Sequence, residues 1–214
     1  MSDRFRAEDQ EDLLRLRKML RKVVGDGEEE VRRRLAKRDE ARVLDIACGE
    51  CREAEVLADF VSELKGEQSG NVKLTGIDVR AREIEDAKRR FGGKREFEER
   101  RGTRECEFLT GDASKLDGHA ELGEDFDLVF MRHQNYWNGA RTWEEIYDQA
   151  LGKLGDDGRL IITSYFDKEH ELALEAIQRL GGELIRTEFN SETRELATEG
   201  KSVDRHVAIF RRKE

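Results

Sequence analysis

The chain has 214 residues, enough for one domain with a proper core, and it carries a net charge of −9. This acidic balance argues against a nucleic-acid partner, because binding phosphate needs an excess of cations on one face. The first twenty residues alternate charge and leucine, so they do not form a secretory signal, and no run has the length of a transmembrane helix. Three cysteines, an odd number, then indicate free thiols in a reducing cytoplasm.

The first forty residues predict two helices. Apolar side chains recur there at helical spacing: Leu13, Leu16, Leu20 and Val24, then Val31 and Leu35. Gly25 and Gly27 separate the two stretches. We expect residues 1–41 to form an N-terminal helical extension that acts as a lid or substrate wall, with its leucine stripe used for packing rather than for a partner.

From residue 42 onward, short apolar segments alternate with helical patterns. The segments are RVLDIA, VKLTGIDV, CEFLTGD, DLVFMR and RLIITSYF. This alternation predicts an α/β fold in which helices cover both faces of a doubly wound, mostly parallel sheet. Two further segments, ELIRTEF and RHVAIFRR, have no helix between them, so they should form an antiparallel pair at one edge. The sequence therefore predicts a seven-stranded sheet in one domain, residues 42–214.

Acidic residues stand at the ends of the first three strands. In open α/β sheets the ligand binds beyond the carboxyl ends of the strands. In VLDIACGEC, Gly49 permits close backbone approach, and Asp45 can accept hydrogen bonds from a cationic or hydroxylated ligand. Asp78 can accept both hydroxyls of a ribose, and Asp112 can accept from an exocyclic amine. Each of the three aspartates could instead cap the helix or turn that follows it.

In these motifs the chain resembles the class I S-adenosylmethionine-dependent methyltransferases. The matching segments are VLDIACGEC, GIDV, FLTGDAS, FDLVFMRHQNYW and LGDDGRLIITSYF, in register over residues 42–214. The resemblance implies a Rossmann-like methyltransferase fold, with the Gly49 loop on the methionine part of S-adenosyl-L-methionine, Asp78 on the ribose and Asp112 on the adenine. The cofactor-binding residues that it implies are Asp45, Ala47, Cys48, Gly49, Asp78, Val79, Asp112, Ala113 and Met131.

Cys48 and Cys51 form a C-x-x-C pair, which is also typical of redox and metal sites. A zinc site needs about four ligands, and only Cys106 and four histidines remain to complete one. The nucleotide loop is therefore the preferred interpretation, and we expect no metal. The family usually has a second glycine where this chain has Cys51.

Two residues after the fourth strand are the candidate catalytic residues, His133 and Tyr136. Histidine changes protonation near neutral pH, so His133 could deprotonate a methyl acceptor, or it could make a structural hydrogen bond. Tyr136 could stack on a flat or cationic acceptor, or fill the core under the loop. The same alternatives apply to Trp137, Tyr165 and Phe166, while Arg132 could hold an anionic acceptor or pair with an acid.

The implied reaction is methyl transfer from S-adenosyl-L-methionine to an acceptor, for which the acidic balance favours a small molecule over nucleic acid. The chain has no proline, so the Asn-Pro-Pro-Tyr type of amine-methylating motif is excluded, and oxygen, nitrogen, carbon and sulfur acceptors stay open. One alternative is an NAD(P)-binding Rossmann enzyme, although G-x-G-x-x-G is absent after Gly49. The other is a non-catalytic, methyltransferase-like binding module with a helical arm for a protein partner.

Overall fold

The computed structural model describes residues 3–25, 29–66, 70–98 and 101–213 of the chain. The helices are α1 (Asp3–Leu20), α2 (Glu29–Ala36), α3 (Ala54–Lys65), α4 (Ala81–Phe91), α5 (Ala140–Lys153) and α6 (Asp167–Arg179). The strands are β1 (Glu40–Ile46), β2 (Asn71–Asp78), β3 (Gly93–Glu96), β4 (Thr103–Thr110), β5 (Phe126–Arg132), β6 (Leu154–Ser164), β7 (Gly182–Phe189), β8 (Arg194–Glu195), β9 (Ser202–Val203) and β10 (His206–Arg212).

Within these described residues, eight strands form one sheet in the order β3-β4-β2-β1-β5-β6-β10-β7. The strands β4, β2, β1, β5 and β6 run parallel to one another, and β10 is antiparallel to both β6 and β7. The predicted α/β fold, with a mostly parallel sheet and an antiparallel C-terminal pair, is confirmed. The short strands β8 and β9 form a separate antiparallel hairpin between β7 and β10.

The edge strand β3 was not predicted. Its sequence, Gly-Lys-Arg-Glu, is exposed at all four positions and has no apolar alternation, so it carries no strand signal of its own. It forms because the chain turns back after α4 and pairs antiparallel with β4, from Gly93 opposite Cys106 to Glu96 opposite Thr103. Its charged side chains suit an unpaired sheet edge.

Apolar side chains form one core layer on each face of the sheet. Alternate residues of β1 divide between them, with Val43 in one layer and Leu44 in the other, as the period of a strand requires. The first layer lies under α3 and α4, and the second lies under α5 and α6.

The N-terminal helices belong to the first core layer. The predicted apolar stripe is largely buried there, and its buried members are Leu16, Leu20, Val24, Val31 and Leu35. Between α1 and α2 the chain makes one turn of π-helix, Arg21–Gly25, while Gly27 lies outside the described residues. Arg17 and Arg21 both bond the carboxylate of Glu63 on α3, at 2.5 and 2.6 Å. None of the helices in the described ranges combines the length and the apolar character that a membrane crossing needs.

Candidate active site

The candidate site lies where the strand order reverses, between β1 and β5. Strand β1 pairs with β2 on one side and with β5 on the other, so the loops after these strands diverge and leave a crevice at their carboxyl ends. The connections after β4 and β6 reach the same edge, because those strands run parallel to the others. The sequence-predicted residues of the glycine loop and of the later strand ends therefore share one side of the sheet.

The loop after β1 is wound tightly by three residues in the left-handed region: Ala47, Gly49 and Cys51 have φ of 56°, 55° and 45°. Hydrogen bonds fix it, from the backbone N–H of Cys48 to the carbonyl of Ile77 (3.2 Å) and from that of Cys51 to the carbonyl of Cys48 (2.7 Å). A positive φ favours glycine because it has no β-carbon. This backbone conformation explains why related loops use glycine where this chain has Cys51.

The carboxyl group of Asp45 is buried beneath this loop with one oxygen unbonded. Its Oδ2 accepts the thiol of Cys51 at 3.0 Å, while Oδ1 has no hydrogen-bond partner among the described residues. Burial, and then the nearby charge of Glu53, raise the pKa of Asp45 well above its ordinary value. A buried carboxyl with a free oxygen suits a cationic group, which would supply both the hydrogen bond and the missing countercharge.

Asp78, at the end of β2, is also buried but fully hydrogen-bonded. Its Oδ2 accepts the backbone N–H of Gly49 at 2.8 Å, so the first two loops are joined through it. The backbone and side chain of Arg80 supply the other bonds. Burial would raise the pKa of Asp78, but the bonds from Arg80 and Gly49 outweigh it and lower that pKa, so the group is a carboxylate.

The third aspartate, Asp112, caps the short 3-10 helix that follows β4. Its Oδ1 accepts the backbone N–H of Ser114 at 3.0 Å and the hydroxyl of Ser114 at 2.8 Å. These bonds lower the pKa of Asp112. The side chain is 45% exposed, so it can cap the turn and still accept a hydrogen bond from a ligand.

The other residues implied for the cofactor differ in accessibility. Val79 is 65% exposed beside Asp78, an apolar side chain open to a flat ring. Ala47 is partly exposed, Cys48 and Ala113 are largely covered, and Met131 is fully buried in the second core layer. The Met131 side chain therefore lies under the crevice, and its backbone carbonyl accepts the Gln134 amide at 2.8 Å.

The three cysteines are free thiols and all are buried. Burial raises the pKa of Cys51 well above its ordinary value and that of Cys106 to about 11, which keeps both as unreactive thiols. In the described ranges, no group of three His, Cys, Asp or Glu side chains is arranged to hold a metal ion.

A buried polar cluster stands at the end of β5, on the opposite side of the crevice. Arg132 donates from Nε and Nη2 to the two oxygens of Asp204, at 3.0 and 2.6 Å, and its Nη1 lies 3.8 Å from Glu53. The hydroxyl of Thr163 also donates to Asp204, at 2.8 Å. Burial would raise the pKa of Asp204, but the charges of Arg132 and His133 outweigh it and hold that pKa well below its usual range. Arg132 thus pairs with buried acids and not with a surface acid.

His133 joins this cluster. Its Nε2 lies 2.9 Å from Oδ1 of Asp204 and accepts the backbone N–H of Asp204 at 3.1 Å, and its ring stacks on Tyr165 at 3.8 Å. Nδ1 of His133 has no hydrogen bond to any residue that the structure describes, and the side chain is 14% exposed. The backbone φ of 61° is rare for a residue with a β-carbon. The predicted candidate base is therefore held through one nitrogen, with the other left free.

Aromatic side chains stand on the segments that follow β5 and β6. Tyr136 is largely buried and donates its hydroxyl to Glu144 at 2.8 Å, so it fills the core under the loop. Trp137 is 45% exposed and packs edge-on against Phe166 at 5.3 Å. Lys201 lies over the ring of Tyr165 at 4.3 Å, and the backbone N–H of Ser202 bonds the Tyr165 carbonyl at 3.1 Å. The β8–β9 hairpin therefore covers the loop after β6.

Helix α1 reaches the same end of the molecule through ion pairs. Asp9 pairs with Arg52, which directly follows the glycine loop. The carboxylate of Asp12 accepts hydrogen bonds from Nε and Nη2 of Arg194 on β8, at 2.9 and 2.5 Å. The N-terminal helix therefore contacts both the loop after β1 and the hairpin over the loop after β6.

Comparison with known proteins identifies the family. A family described as "Methyltransferase domain" matches residues 37–207. The chain belongs to this methyltransferase family. It is an enzyme of the class I S-adenosylmethionine-dependent type, and S-adenosyl-L-methionine is its cofactor, as the sequence motifs predicted.

Solved structures share the fold at low sequence identity. A TehB-like S-adenosylmethionine-dependent methyltransferase from Corynebacterium glutamicum is 22% identical, with 97% of this chain and 99% of that chain covered and a TM-score of 0.55. An S-adenosylmethionine-dependent methyltransferase from Methanosarcina mazei is 16% identical, covering 83% and 95%, with a TM-score of 0.59. Another, from Clostridium acetobutylicum, is 9% identical, covering 92% and 97%, with a TM-score of 0.58. A search of curated proteins finds no match.

The residues at the crevice fit the cofactor. The free Oδ1 of buried Asp45 suits the ammonium of its methionine part. Gly49 leaves the loop without a β-carbon, and a β-carbon there would lie 2.8 Å from Nη2 of Arg80. Asp78 and exposed Val79 stand side by side, as a ribose and an adjoining flat base would require.

Sequence reasoning missed three residues of this site: Glu53, Arg80 and Asp204. Arg80 follows Asp78 by two positions, so a bond between them was within reach of a local argument. Asp204 lies in the turn before β10, and no local pattern connects it with His133, 71 positions earlier.

Proposed function

We propose that the enzyme transfers a methyl group to a small molecule whose acceptor atom carries a proton, with His133 as the base and Asp204 as the residue that positions it. The observation that carries this proposal is the contact of His133 Nε2 with the Asp204 carboxylate, 2.9 Å, beside a free Nδ1. The acidic balance of the chain supports a small molecule over nucleic acid as the acceptor.

The cofactor would lie along the ends of β1, β2 and β4. Asp45 would bind its ammonium, the Gly49 loop with Ala47 and Cys48 would contact the methionine part, and Asp78 would accept the ribose hydroxyls. The adenine would lie between Val79, Ala113 and Asp112, above Met131. The support for this arrangement is the free oxygen of Asp45 and the order of acidic side chains along the crevice.

The cofactor supplies a methyl group on a positively charged sulfur, which is already reactive toward a nucleophile. The protein then has to align the acceptor, exclude water and remove any proton that the acceptor loses. Nε2 of His133 has two competing partners: the Asp204 backbone N–H, which donates to it at 3.1 Å and needs its lone pair, and the Asp204 carboxylate at 2.9 Å, which favours a proton there. We assign the proton to Nε2, because a charge-assisted hydrogen bond to the carboxylate is about twice as strong as the neutral bond from the backbone. That tautomer leaves the lone pair of Nδ1 to take the acceptor's proton, and the Asp204 carboxylate stabilises the imidazolium that forms.

The acceptor would be held by the aromatic side chains after β5 and β6 and shielded by the N-terminal helix. Trp137 is exposed and Phe166 beside it is half-buried, and Lys201 adds a positive charge next to Phe166. The ion pairs of Asp9 and Asp12 support the assignment of α1 as a lid or substrate wall. Tyr136 remains the second catalytic candidate, although its hydroxyl would have to leave Glu144 to reach an acceptor. The three free thiols suit the reducing cytoplasm, where we place the enzyme.

The test is methyl transfer from isotope-labelled S-adenosylmethionine into a cell extract that contains protein, RNA and small molecules, followed by mass spectrometry of each fraction. We expect a labelled small-molecule product with the wild type. His133→Ala and Asp204→Asn should abolish it while retaining the affinity for S-adenosylhomocysteine. Asp157→Asn is a matched control, since Asp157 is an exposed aspartate near the start of β6, with a positive φ of 58°, outside the site. Label that appears only in protein or RNA would contradict the proposal. Full activity in both His133→Ala and Asp204→Asn would contradict it as well.

A further inference from the structure

The carboxylate of Asp78 has no hydrogen-bonding position left for a ribose. Its Oδ1 accepts the backbone N–H and Nε of Arg80, both at 2.9 Å. Its Oδ2 accepts the backbone N–H of Gly49 at 2.8 Å and Nη2 of Arg80 at 3.0 Å. A carboxylate offers about four lone-pair sites, so these four bonds satisfy it.

The same guanidinium covers the glycine loop. A β-carbon built on Gly49 would lie 2.8 Å from Nη2 and 3.7 Å from Cζ of Arg80. Gly49 is the position at which the backbone must be open to a ligand, because its φ of 55° and its missing side chain permit close approach. Arg80 therefore occupies the two places that the cofactor needs, the ribose acid and the space over the loop.

The side chain of Arg80 is placed so that it can leave Asp78 while part of the hydrogen bonding of Asp78 stays. The Arg80 side chain is 55% exposed, and two of the four bonds to Asp78 come from backbone N–H groups that stay in place when the side chain leaves. A second acid stands one turn along α4, with Oε1 of Glu83 3.7 Å from Nη1 of Arg80. Glu83 is 30% exposed and offers the guanidinium a partner away from the crevice.

We propose that Arg80 sets the affinity for the cofactor by exchanging partners: it pairs with Asp78 in the free enzyme and with Glu83 when the ribose takes its place. This inference rests on the proposed position of the ribose at Asp78. The exchange weakens binding because an existing charge-assisted pair must break before the ribose hydroxyls can bond. It also excludes ligands that lack a vicinal diol, which cannot replace both side-chain bonds to the carboxylate.

The test is calorimetric titration of S-adenosylhomocysteine into the wild type and a set of variants. Arg80→Ala should bind about three- to thirty-fold more tightly, because the competing pair is gone. Arg80→Lys, which keeps the charge but cannot bond in a bidentate manner, should show a smaller gain. Glu83→Gln should bind about two-fold more weakly, since the displaced guanidinium loses its partner. Arg82→Ala is the matched control, because it removes the same charge from an exposed neighbour on α4 and should leave affinity unchanged.

Adding Asp78→Asn should remove the gain in affinity that Arg80→Ala produces. In that background position 78 has no carboxylate for which Arg80 and the ribose could compete. Unfolding curves of each variant check that the fold is kept, and Arg80→Lys serves if Arg80→Ala unfolds. Equal or weaker binding in Arg80→Ala and Arg80→Lys would overturn the inference while leaving the ribose site intact. Failure of the wild type to bind S-adenosylhomocysteine would instead overturn the proposed cofactor position.

Discussion

Arg80 closes a bidentate ion pair on Asp78, with Nε 2.9 Å from Oδ1 and Nη2 3.0 Å from Oδ2. Asp45, another buried acid of the crevice, has no cation bonded to it among the residues that the structure describes and keeps one oxygen free there. The two acids that would meet opposite ends of the cofactor therefore differ in their hydrogen bonds and ion pairs. A ligand that binds at Asp78 has to replace the bonds from Arg80, whereas a ligand that binds at Asp45 gives a partner to an oxygen that lacks one.

Asp45→Asn should weaken the binding of S-adenosylhomocysteine by at least about tenfold, because the ammonium loses its buried countercharge. Since the pKa of Asp45 is raised, its carboxyl tends to hold a proton in the free protein and should release it when the ammonium binds. Wild-type affinity should therefore rise with pH, and the variant should lose this proton release. Calorimetry in two buffers of different ionisation enthalpy measures it. Equal proton release in both proteins would exclude Asp45 as its source.

The same substitution should stabilise the free enzyme at neutral pH. A carboxyl whose pKa is raised in the folded state destabilises the fold as pH rises above the unfolded value of about 3.9, because only the unfolded chain then ionises freely. Asparagine does not ionise, so the variant should be more stable than the wild type above that pH and should lose this advantage below it. Unfolding in urea at several pH values checks this. A variant that is less stable than the wild type at neutral pH would show that Asp45 supports the fold.

Cys51→Gly should retain or improve the affinity for S-adenosylhomocysteine. The backbone of Cys51 has a φ of 45°. This conformation disfavours residues other than glycine by about 1 kcal/mol. Cys51→Ala is the matched control, because it keeps the β-carbon and removes the thiol together with its hydrogen bond to Asp45. Stoichiometric zinc in the purified wild type, lost on either substitution, would show instead that the cysteines form a metal site.

Glu63→Gln should destabilise the fold at neutral pH by about 1–2 kcal/mol, since it breaks the ion pairs of Glu63 with Arg17 and Arg21. Burial would raise the pKa of Glu63, but the two arginines lower it to about 2. This stabilisation is therefore present above the unfolded pKa near 4.3 and is lost as pH falls toward 2. The wild type and the variant should unfold at the same denaturant concentration near pH 2. An effect that persists there would mean that the N-terminal helices do not depend on this ion pair.

The sequence predicted the sheet well because its apolar segments are short, regular and separated by helical patterns. It missed β3, whose four exposed residues pair only because β4 lies beside them. In the site, the acids at the strand ends were predicted from their position. The Asp204 contact with His133 and the Glu53 contact with Arg132 were not, because each joins residues that only the folded chain brings together.

The most direct test of the central claim is calorimetric titration of S-adenosylhomocysteine and of NAD into the wild type and Asp78→Ala. We expect S-adenosylhomocysteine to bind the wild type and NAD not to bind. Asp78→Ala should lose on the order of 1.5–3 kcal/mol, roughly ten- to a hundredfold, because the ribose loses its carboxylate while Arg80 no longer competes for it. Binding of NAD alone, or an unchanged affinity for S-adenosylhomocysteine in a variant whose melting temperature falls, would contradict the placement of the cofactor at Asp78.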